Sequence, residues 1–377
     1  MRKIVIVNQS SNYLTADIAR AFVSSTKYDK VIVMTGNPRS LGVYEDEDIA
    51  IETITLYNKK SIITRFSSWI LGTIQVIWKA CFKYRNCDFF LVSNPPTIHL
   101  FGYLCKHRYS ALVYDVYPDG IVTGGFVKRS NPIFKLWTVF AKSFYEKADH
   151  VYAISEGIAE KVSQYCPSEK IKVVPLWSNK DIHRIKKTDN LFVRTHNLYG
   201  KFVILYSGNI GKGSNIKVLI ELAKEMKYIG KVQFIVIGEG MEKPLVKEAI
   251  KSYELTNILL LPYQPVETLS HSLSSADLAY VSVEDKAANV CIPSKTFNLL
   301  NVEAPLFCIA SRNAEITRFI ERYNIGKVFQ ASDISGMKSF IESMVNNEKA
   351  LSEYKDNIRK SKKDYSYLNA TKFVTES

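Results

Sequence analysis

Long uninterrupted apolar runs are missing from this sequence of 377 residues. A transmembrane helix needs about 20 predominantly apolar residues, and the helix-like stretch of residues 62–85, although rich in apolar side chains, is interrupted by polar ones. The first apolar run, Ile4 to Val7, is too short for a signal peptide and predicts a strand instead. The composition, with 46% hydrophobic and 23% charged residues, therefore predicts a globular protein long enough for two domains.

Cysteine pairs and common catalytic motifs are also missing. The six cysteines form no C-x-x-C pair and have no histidine pairs nearby, so neither a zinc site nor a disulfide framework is indicated, and a reducing cytoplasm is the expected compartment. Ser155 and Ser294 have no G-x-S-x-G context, and the glycine spacing after residue 206 does not fit a P-loop. Asp46-Glu47-Asp48 matches a D-x-D metal pattern, but a solvated acidic turn explains it better. We expect no metal.

Positive charge is in excess and is unevenly distributed. The formal net charge is +13, and residues 1–200 hold 27 lysines and arginines against 17 acidic residues. Such a surface favours an anionic partner. Because no zinc-finger, RNA-recognition or helix-turn-helix signature is present, we expect no nucleic acid. An anionic membrane surface or a phosphate-bearing substrate needs fewer assumptions.

Short apolar runs alternate with helix-period segments along the chain. This alternation is typical of a mostly parallel sheet covered on both faces. It predicts two doubly wound α/β domains in series, with the site in a cleft between them at the carboxyl ends of strands. The predicted strands are 3–7, 30–34, 51–56, 88–92, 110–114, 150–154 and 171–174 in the first domain, and 203–206, 233–237, 258–261, 278–282 and 306–309 in the second.

Residues 62–85 form the most unusual predicted helix. Its apolar face is wide and includes Trp69, whereas Lys79 and Lys83 lie on a narrow polar stripe. A basic, aromatic-rich amphipathic helix can lie in a membrane interface. A well-buried domain helix is the alternative, and the pattern alone leaves both open.

Two features carry candidate chemistry. The apolar run 203–206 ends in a turn with three glycines, which permit close backbone approach before a helix begins with unpaired N–H groups, and Lys212 adds a mobile cation. This favours an anionic ligand, although glycines also end strands in ordinary α/β domains. In the first domain, Asp115 and Asp119 follow a predicted strand in a proline turn, which is either a functional pair or a helix-capping turn.

Ordered segments of both domains resemble those of glycosyltransferase family 4, a group with the two-domain GT-B fold. The most similar branch builds bacterial surface polysaccharides on lipid carriers. In the second domain the segments are Y-S-G-N-I-G-K-G (206–213), V-I-G-E-G (236–240), L-P-Y-Q-P (261–265), S-S-A-D-L-A (274–279) and I-P-S-K-T-F-N-L-L (292–300). In the first domain they are S-N-P-P (93–96), Y-D-V-Y-P-D (114–119), A-D-H-V-Y-A-I-S-E (148–156) and V-V-P-L-W-S-N (173–179).

The resemblance implies two Rossmann-like doubly wound domains facing a cleft. It implies retaining transfer of a sugar from a UDP- or GDP-sugar to a saccharide acceptor, expected to be lipid-linked, in capsule, O-antigen or exopolysaccharide biosynthesis. It also implies a peripheral location at the cytoplasmic face of the cell membrane and no cofactor. The implied boundaries are 1–178 for the acceptor-binding domain, 179–200 for a linker, 201–363 for the donor-binding domain and 364–377 for a helix crossing back to the first domain.

The resemblance also assigns residues to roles. Lys212 and Lys295 are the expected cations for the leaving diphosphate, whose growing charge lysines and backbone N–H groups can neutralise. Asp115 and Asp119 are expected to position the acceptor. The other expected donor-binding residues are Gly208, Asn209, Gly211, Gly213, Glu239, Gly240, Pro262, Tyr263, Pro293, Ser294 and Asn298, and those expected on the acceptor or membrane side are Asn8, Ser93, Asn94, Trp69, Lys79 and Lys83.

The sequence departs from the family pattern at several positions. Many members carry two glutamates where Val290 and Asn298 stand here, an arginine where Asn209 stands, and a histidine near Asp115. An asparagine holds a hydroxyl less strongly than a carboxylate does. These changes indicate an altered donor or reduced activity.

Two further functions stay open. A sugar-nucleotide epimerase of the same fold needs acid–base groups around the sugar, for which Glu284, Asp285 and His271 are the nearest candidates. A non-catalytic peripheral membrane-binding protein explains the charge and residues 62–85, but it leaves the glycine loop without a purpose.

Overall fold

The computed structural model describes residues 2–41, 48–58, 60–123, 125, 127–285, 288 and 292–375. The chain folds into two compact units. The first unit comprises the residues up to Leu176 together with those from Tyr367 onward, and the second comprises Trp177–Ser366. None of the helices in these ranges is both long and apolar enough to span a bilayer.

The strands of the described residues follow the apolar runs of the sequence. They are β1 (Lys3–Val7), β2 (Lys30–Thr35), β3 (Ile49–Thr53), β4 (Asp88–Val92), β5 (Tyr109–Val113), β6 (Val151–Ala153), β7 (Ile171–Val173), β8 (Phe202–Ser207), β9 (Val232–Ile237), β10 (Ile258–Leu261), β11 (Leu278–Ser282), β12 (Leu306–Ile309) and β13 (Gly326–Phe329).

The α-helices alternate with these strands. They are α1 (Tyr13–Ser24), α2 (Ile62–Phe82), α3 (Phe101–Leu104), α4 (Asp119–Thr123), α5 (Pro132–Lys147), α6 (Glu156–Val162), α7 (Leu191–Thr195), α8 (Ile216–Glu225), α9 (Lys243–Ser252), α10 (Leu269–Leu273), α11 (Lys295–Asn301), α12 (Glu315–Tyr323), α13 (Ile334–Val345), α14 (Glu348–Ser361) and α15 (Lys372–Thr375).

Each unit is built on one parallel sheet. The order is β3-β2-β1-β4-β5-β6-β7 in the first unit and β10-β9-β8-β11-β12-β13 in the second. Parallel strands covered on both faces are continuous apolar runs, and β1, β4, β8 and β11 are buried almost throughout. The two Rossmann-like doubly wound α/β domains that the sequence predicts are therefore confirmed.

The strand order places one switch point in each sheet. The order reverses between β1 and β4 in the first unit and between β8 and β11 in the second. In doubly wound folds, ligands bind outside the carboxyl ends of the strands at such a point. The loops that follow these four strands are therefore where a site is expected.

The structure differs from the predicted elements at two strands. The edge strand β13 was not predicted, since Gly326-Lys327-Val328-Phe329 is short and begins with glycine. The strand predicted at 51–56 lies at Ile49–Thr53 instead. It ends early because the side chains of Gln9 and Gln75 hydrogen-bond the backbone of Thr55, at 2.8 and 2.6 Å.

Two segments of mixed composition are packed onto the units. Residues 179–200, which suggest a linker by their polarity, belong to the second unit and contain α7. There the buried Asn190 accepts hydrogen bonds from the N–H groups of Phe192 and Val193, and both of these side chains are buried. The segment from residue 364 forms short helical turns, and α15 packs on the first unit.

Candidate functional site

Backbone hydrogen bonds tie the loop after β8 to the loop after β9. The N–H of Gly208 donates to the carbonyl of Ile237 at 2.9 Å, and that of Ile210 donates to the carbonyl of Glu239 at 2.8 Å. Ile210 also accepts from the N–H of Glu242 at 2.9 Å. The glycine-rich loop is thus fixed along one side.

Close backbone approach explains two glycines of the second loop. Gly238 has φ +151°, and a Cβ there would lie 1.9 Å from the carbonyl oxygen of Gly208. Gly240 has φ +152°, and its Cβ would lie 2.3 Å from the carbonyl oxygen of Ile210. Side chains are excluded from both positions, so the glycines allow the two loops to stack directly.

The other side of the glycine-rich loop presents N–H groups. Those of Asn209, Gly211, Lys212 and Gly213 donate to no acceptor in the part of the chain that the structure describes. The side chain of Lys212 is exposed and has no acidic partner there. Backbone N–H groups without acceptors beside a lysine are hydrogen-bond donors that suit an anion.

Lys295 projects from the start of α11 to the same loop. Its Nζ lies 4.0 Å from the ring centroid of Tyr206, a cation–π geometry, and 3.4 Å from the position that a Cβ of Gly208 would take. No acidic side chain of the described residues pairs with it. Desolvation lowers the pKa of Lys295 to about 8. Among the described residues, this cation therefore has no counter-charge, and the N–H groups of the loop beside it have no acceptor.

Hydrogen bonds to β11 fix the end of the loop. The hydroxyl of Tyr280 donates to the carbonyl of Asn215 at 2.9 Å, and the Asn215 amide donates to Ser282 Oγ at 2.8 Å. Asn215 caps α8 with a left-handed backbone, φ 45° and ψ 38°. The loop is thus held by the loop after β9 on one side and by β11 on the other.

A polar pocket of about 240 Å³ opens beside the loop at the carboxyl ends of β11, β12 and β13. Its polar lining comprises Asn215, Glu284, Asp285, Ser311 and Gln330. Glu284 Oε1 lies 3.7 Å from the position that a Cβ of Gly213 would take. The pocket and the glycine-rich loop therefore adjoin each other.

Several residues predicted to bind a donor have other partners. The Asn298 amide oxygen accepts the N–H of Asn179 at 2.9 Å, which anchors the start of the second unit. Glu239 is exposed and pairs with Lys243 at 2.6 Å. The carbonyls of Pro293 and Ser294 accept N–H groups within the first turn of α11, at 2.9 and 3.2 Å, and Pro262 and Tyr263 are exposed after β10.

The two predicted carboxylates of the first unit differ in environment. Asp115 is exposed, although the surrounding protein raises the pKa of its carboxyl group by desolvation. Its N–H donates to Ser93 Oγ at 3.3 Å. Asp119 is buried and accepts from Arg129 at 2.9 Å and from the hydroxyl of Tyr165. Asp115 can therefore meet a substrate, whereas Asp119 already holds structural partners.

The asparagines at the first switch point also differ. Asn8 is buried and its amide donates to Thr15 Oγ1 at 2.8 Å, which fixes the start of α1. The side-chain oxygen of Asn94 is buried without a hydrogen-bond partner among the described residues. Its backbone carbonyl accepts the N–H of Gln9 at 2.8 Å. Of this pair, therefore, only Asn94 has a buried side-chain oxygen without a hydrogen-bond partner among the described residues.

The residues predicted for the membrane side of α2 lie inward or in ion pairs. Trp69 is 5% exposed and stacks on Tyr57 with ring centroids 5.8 Å apart. Lys79 and Lys83 both pair with Glu52. Burial would raise the pKa of Glu52, but hydrogen bonds from these lysines and a tyrosine lower it to about 2. The outward face of α2 is apolar instead, with exposed Ile62, Ile63, Ile70, Leu71, Ile74, Trp78 and Phe82.

The remaining candidates of the sequence are placed as follows. His271 lies on α10, where its Nδ1 accepts the N–H of Leu191 at 3.2 Å, and it does not line the polar pocket. Within the described ranges no three His, Cys, Asp or Glu side chains are grouped to hold a metal ion. Asp46, Glu47 and Val290 lie outside the described residues.

Comparison with known proteins identifies the domain around the glycine-rich loop. Residues 188–361 match the family model described as Glycosyl transferases group 1. These residues are similar to group 1 glycosyl transferase domains. This range contains the glycine-rich loop, Lys295 and the polar pocket.

Two curated proteins and one solved structure are similar to the chain. WbjE of Pseudomonas aeruginosa, which carries the name of a glycosyltransferase, is 23% identical over 278 residues, covering 71% of this chain and 69% of WbjE. WcaI of Escherichia coli K12, named as a colanic acid biosynthesis glycosyl transferase, is 25% identical over 236 residues, covering 60% of this chain and 57% of WcaI. HepE of Anabaena, in a crystal structure with UDP and glucose, has a TM-score of 0.73 at 12% identity and covers 100% of this chain and 99% of HepE.

These similarities confirm the GT-B fold and a glycosyltransferase of the GT-B type. Lys295 and the glycine-rich loop are found together, as the motifs predict. Tyr206, which carries the Lys295 ammonium group on its ring, was not assigned a role from the sequence, and neither was Asn215. The only available signal for Tyr206 was an aromatic residue directly before the first glycine turn.

Proposed function

We propose that this protein is a retaining family 4 glycosyltransferase that uses a UDP- or GDP-sugar and a lipid-linked saccharide acceptor. Its product would enter a bacterial surface polysaccharide such as a capsule, an O-antigen or an exopolysaccharide. The group 1 domain, the name of WcaI and the UDP and glucose in the HepE crystal support this proposal.

The observation that carries the proposal is the unpaired Lys295 beside the glycine-rich loop. A desolvated cation without a counter-charge costs free energy unless an anion binds there. The N–H groups of Asn209 and Gly211, which have no acceptor among the described residues, would likewise be satisfied by an anion. Together they suit the diphosphate of a nucleotide sugar better than an uncharged ligand.

The chemistry follows from charge stabilisation. As the bond between the sugar C1 and the diphosphate oxygen breaks, negative charge grows on the leaving diphosphate, and Lys295, Lys212 and the loop N–H groups stabilise it. The acceptor hydroxyl forms its new bond on the same face of C1, and its proton passes to the departing diphosphate oxygen. Asp115 is proposed to orient that hydroxyl. No metal is required, since the cations are supplied by lysines.

We further propose that the protein lies on the cytoplasmic face of the membrane. Exposed apolar side chains of α2 continue onto α3 and α5, where Tyr103, Leu104, Ile133, Leu136 and Val139 are 56–63% exposed. Lys135 is exposed on α5, and Arg85 is exposed just beyond the end of α2. Apolar side chains with flanking cations are typical of an interfacial membrane surface.

Thermal-shift measurements with UDP, GDP and CMP test the donor part of the proposal. A nucleotide at 100 times its dissociation constant stabilises the native state by about 2.7 kcal/mol. We expect a shift with UDP or GDP that is lost in Lys295→Ala and retained in Lys231→Ala, an exposed lysine of the same unit. If no diphosphate nucleotide shifts the full-length protein, the proposal is wrong.

A further inference from the structure

Two adjoining pockets of the first unit share the side chain of Phe66. The first, here the aromatic pocket, has a volume of about 70 Å³ and is lined by Tyr57, Arg65, Phe66, Trp69 and Tyr117. The second, here the apolar groove, has a volume of about 260 Å³ and is lined by Phe66, Ile70, Leu100, Ile133, Leu136 and Phe140. A single elongated ligand can therefore enter both.

The aromatic pocket holds a cation without a partner. Arg65 forms no ion pair with the described residues, and its Nε is buried without a hydrogen bond. Arg65 lines this pocket together with the rings of Tyr57 and Tyr117, and burial raises the pKa of both hydroxyls. A buried guanidinium donor that is left unsatisfied is costly, and an oxyanion is the natural partner for it.

The apolar groove offers the opposite chemistry. Ile70, Ile133 and Leu136 at its rim are 47%, 63% and 57% exposed. The polar side chains of its lining are Thr97, His99 and Trp137. The Thr97 hydroxyl donates to the carbonyl of Trp69 at 3.0 Å, and the indole N–H of Trp137 donates to Nδ1 of the His99 imidazole ring at 3.1 Å. Nε2 of the same imidazole ring bonds the hydroxyl of Tyr145 at 3.2 Å. Burial keeps that ring neutral, with its pKa lowered to about 3. The groove therefore offers neither charge nor a free hydrogen-bonding group from this histidine.

We propose that the two pockets together bind the phosphate ester of a long-chain lipid alcohol, with the phosphate at Arg65 and the hydrocarbon tail between α2 and α5. This inference rests on the proposed function, because it identifies the lipid part of the acceptor. The charge of Arg65 favours this occupant over a plain bilayer surface, which needs no cation inside a pocket. Asp115 lies two residues before Tyr117 of the aromatic pocket, so a sugar attached to the phosphate would lie near Asp115.

Binding of farnesyl diphosphate to the full-length protein tests the inference. Trp69 lines the aromatic pocket and Trp137 lines the apolar groove, so their fluorescence reports occupancy. Farnesol supplies the tail without the phosphates, and inorganic pyrophosphate supplies the phosphates without a tail. We expect farnesyl diphosphate to bind about tenfold or more tightly than either, which corresponds to about 1.4 kcal/mol.

Matched variants separate the two contacts. Arg65→Gln should weaken farnesyl diphosphate binding by about tenfold or more and leave farnesol binding unchanged, because only the charged hydrogen bond is lost. Lys142→Ala, which removes an exposed charge of α5, is its control. Leu136→Ser should weaken binding of both lipids, whereas Leu368→Ser, at an equally exposed position of the first unit outside the groove, should not.

Several outcomes would overturn the inference. The phosphate site is refuted if farnesol and farnesyl diphosphate bind with equal affinity. It is also refuted if Arg65→Gln leaves the affinity for farnesyl diphosphate unchanged. Binding to phosphatidylglycerol vesicles without binding of farnesyl diphosphate leaves only a membrane surface. Dimerisation that is lost in Leu136→Ser assigns the groove to a second copy of the chain.

The nucleotide thermal shift keeps this inference distinguishable from the proposed function. A shift with UDP or GDP but no farnesyl diphosphate binding removes the lipid site alone. Farnesyl diphosphate binding that depends on Arg65, without any nucleotide shift, keeps the lipid site and removes the transferase proposal.

Discussion

At the residue scale, Lys295 is the most informative side chain of the second unit. Its pKa is lowered from 10.5 to about 8, because burial penalises the charged form of the side chain. Because the folded-state pKa lies below the unfolded one, the unfolded chain binds more protons between these values. The effect of Lys295 on the free energy of unfolding is therefore most favourable above pH 10.5. This free energy decreases as the pH falls, and the loss is complete once the pH has passed through about 8.

Nucleotide binding should show the opposite pH dependence. Only the charged lysine stabilises a diphosphate, so the affinity for UDP or GDP should fall as the pH rises through about 8, by up to about tenfold per pH unit. Phosphate groups ionise near pH 6 and do not change in this range. Titration calorimetry between pH 7 and pH 10 measures the fall. Lys295→Arg, which stays charged, should bind without this decline, and a decline that persists in it would assign the effect to another group.

Gly238 tests the stacking of the two loops. In Gly238→Ala the new methyl group meets the carbonyl oxygen of Gly208, and the φ of +151° is strained for alanine. We expect the free energy of unfolding of the second unit to fall by roughly 1–3 kcal/mol and nucleotide binding to weaken. Denaturant unfolding provides the measurement. Gly230→Ala, with open space around it, is the control and should be nearly neutral.

The sequence predicts some site residues better than others for a physical reason. The glycines after β8 and β9 are predictable because close backbone approach demands that residue type, whereas the proximity of Lys295 to them was implied only by the family resemblance. Partners that come together only in the folded chain are not predictable in this way. Asp119 with Arg129, and Asn298 with Asn179, are examples, since spacing in sequence carries no sign of these contacts.

At the element scale, α2 buries many of its small and polar side chains and exposes many of its large apolar ones. Its buried residues include the small or polar Ser68, Gly72, Thr73 and Ala80. A Cβ at Gly72 would lie 2.7 Å from the amide nitrogen of Gln9, which hydrogen-bonds the carbonyl of Ser68. The periodicity of a helix defines its faces but not which face meets the sheet, so the sequence could not settle this orientation.

The outward face of α2 is a direct test of membrane binding. Trp78 and Phe82 are 58% and 62% exposed and contact each other. Replacing Phe82 by serine should reduce partitioning onto phosphatidylglycerol vesicles by about tenfold or more, since burying such a side chain contributes about 1.5–3 kcal/mol. Vesicle sedimentation is the assay. Tyr228→Ser, at a 90% exposed position of the second unit, should leave partitioning unchanged.

At the scale of the whole molecule, the first unit is completed by a segment that follows the second unit in sequence. The ring of Phe373 is 1% exposed and packs on Tyr152 and Phe90, with centroids 4.9 and 5.4 Å apart. Lys27 Nζ donates to the carbonyl of Val374 at 2.7 Å. The apolar pattern predicts both sheets well, but a contact of such long sequence separation lies beyond it.

Removing the Phe373 ring should destabilise the first unit. Phe373→Ala leaves a cavity beside Phe90, and such a change costs about 3–5 kcal/mol. Hydrogen exchange should show faster exchange in β4 and β6, while the amides of β8 and β9 keep their protection. Leu368→Ala, at a 57% exposed position of the same segment, is the matched control. Equal exchange in both variants would mean that the ring does not support the core.

The packing of Phe373 also fixes an order of events during synthesis. The strands that its ring covers leave the ribosome early, but the ring itself follows only after the entire second unit has been translated. Until residues 367–375 emerge, the core of the first unit stays open beside Phe90 and Tyr152 and presents apolar surface to chaperones and proteases. If translation stalls anywhere in the second unit, the incomplete core of the first unit would therefore direct the nascent chain to degradation.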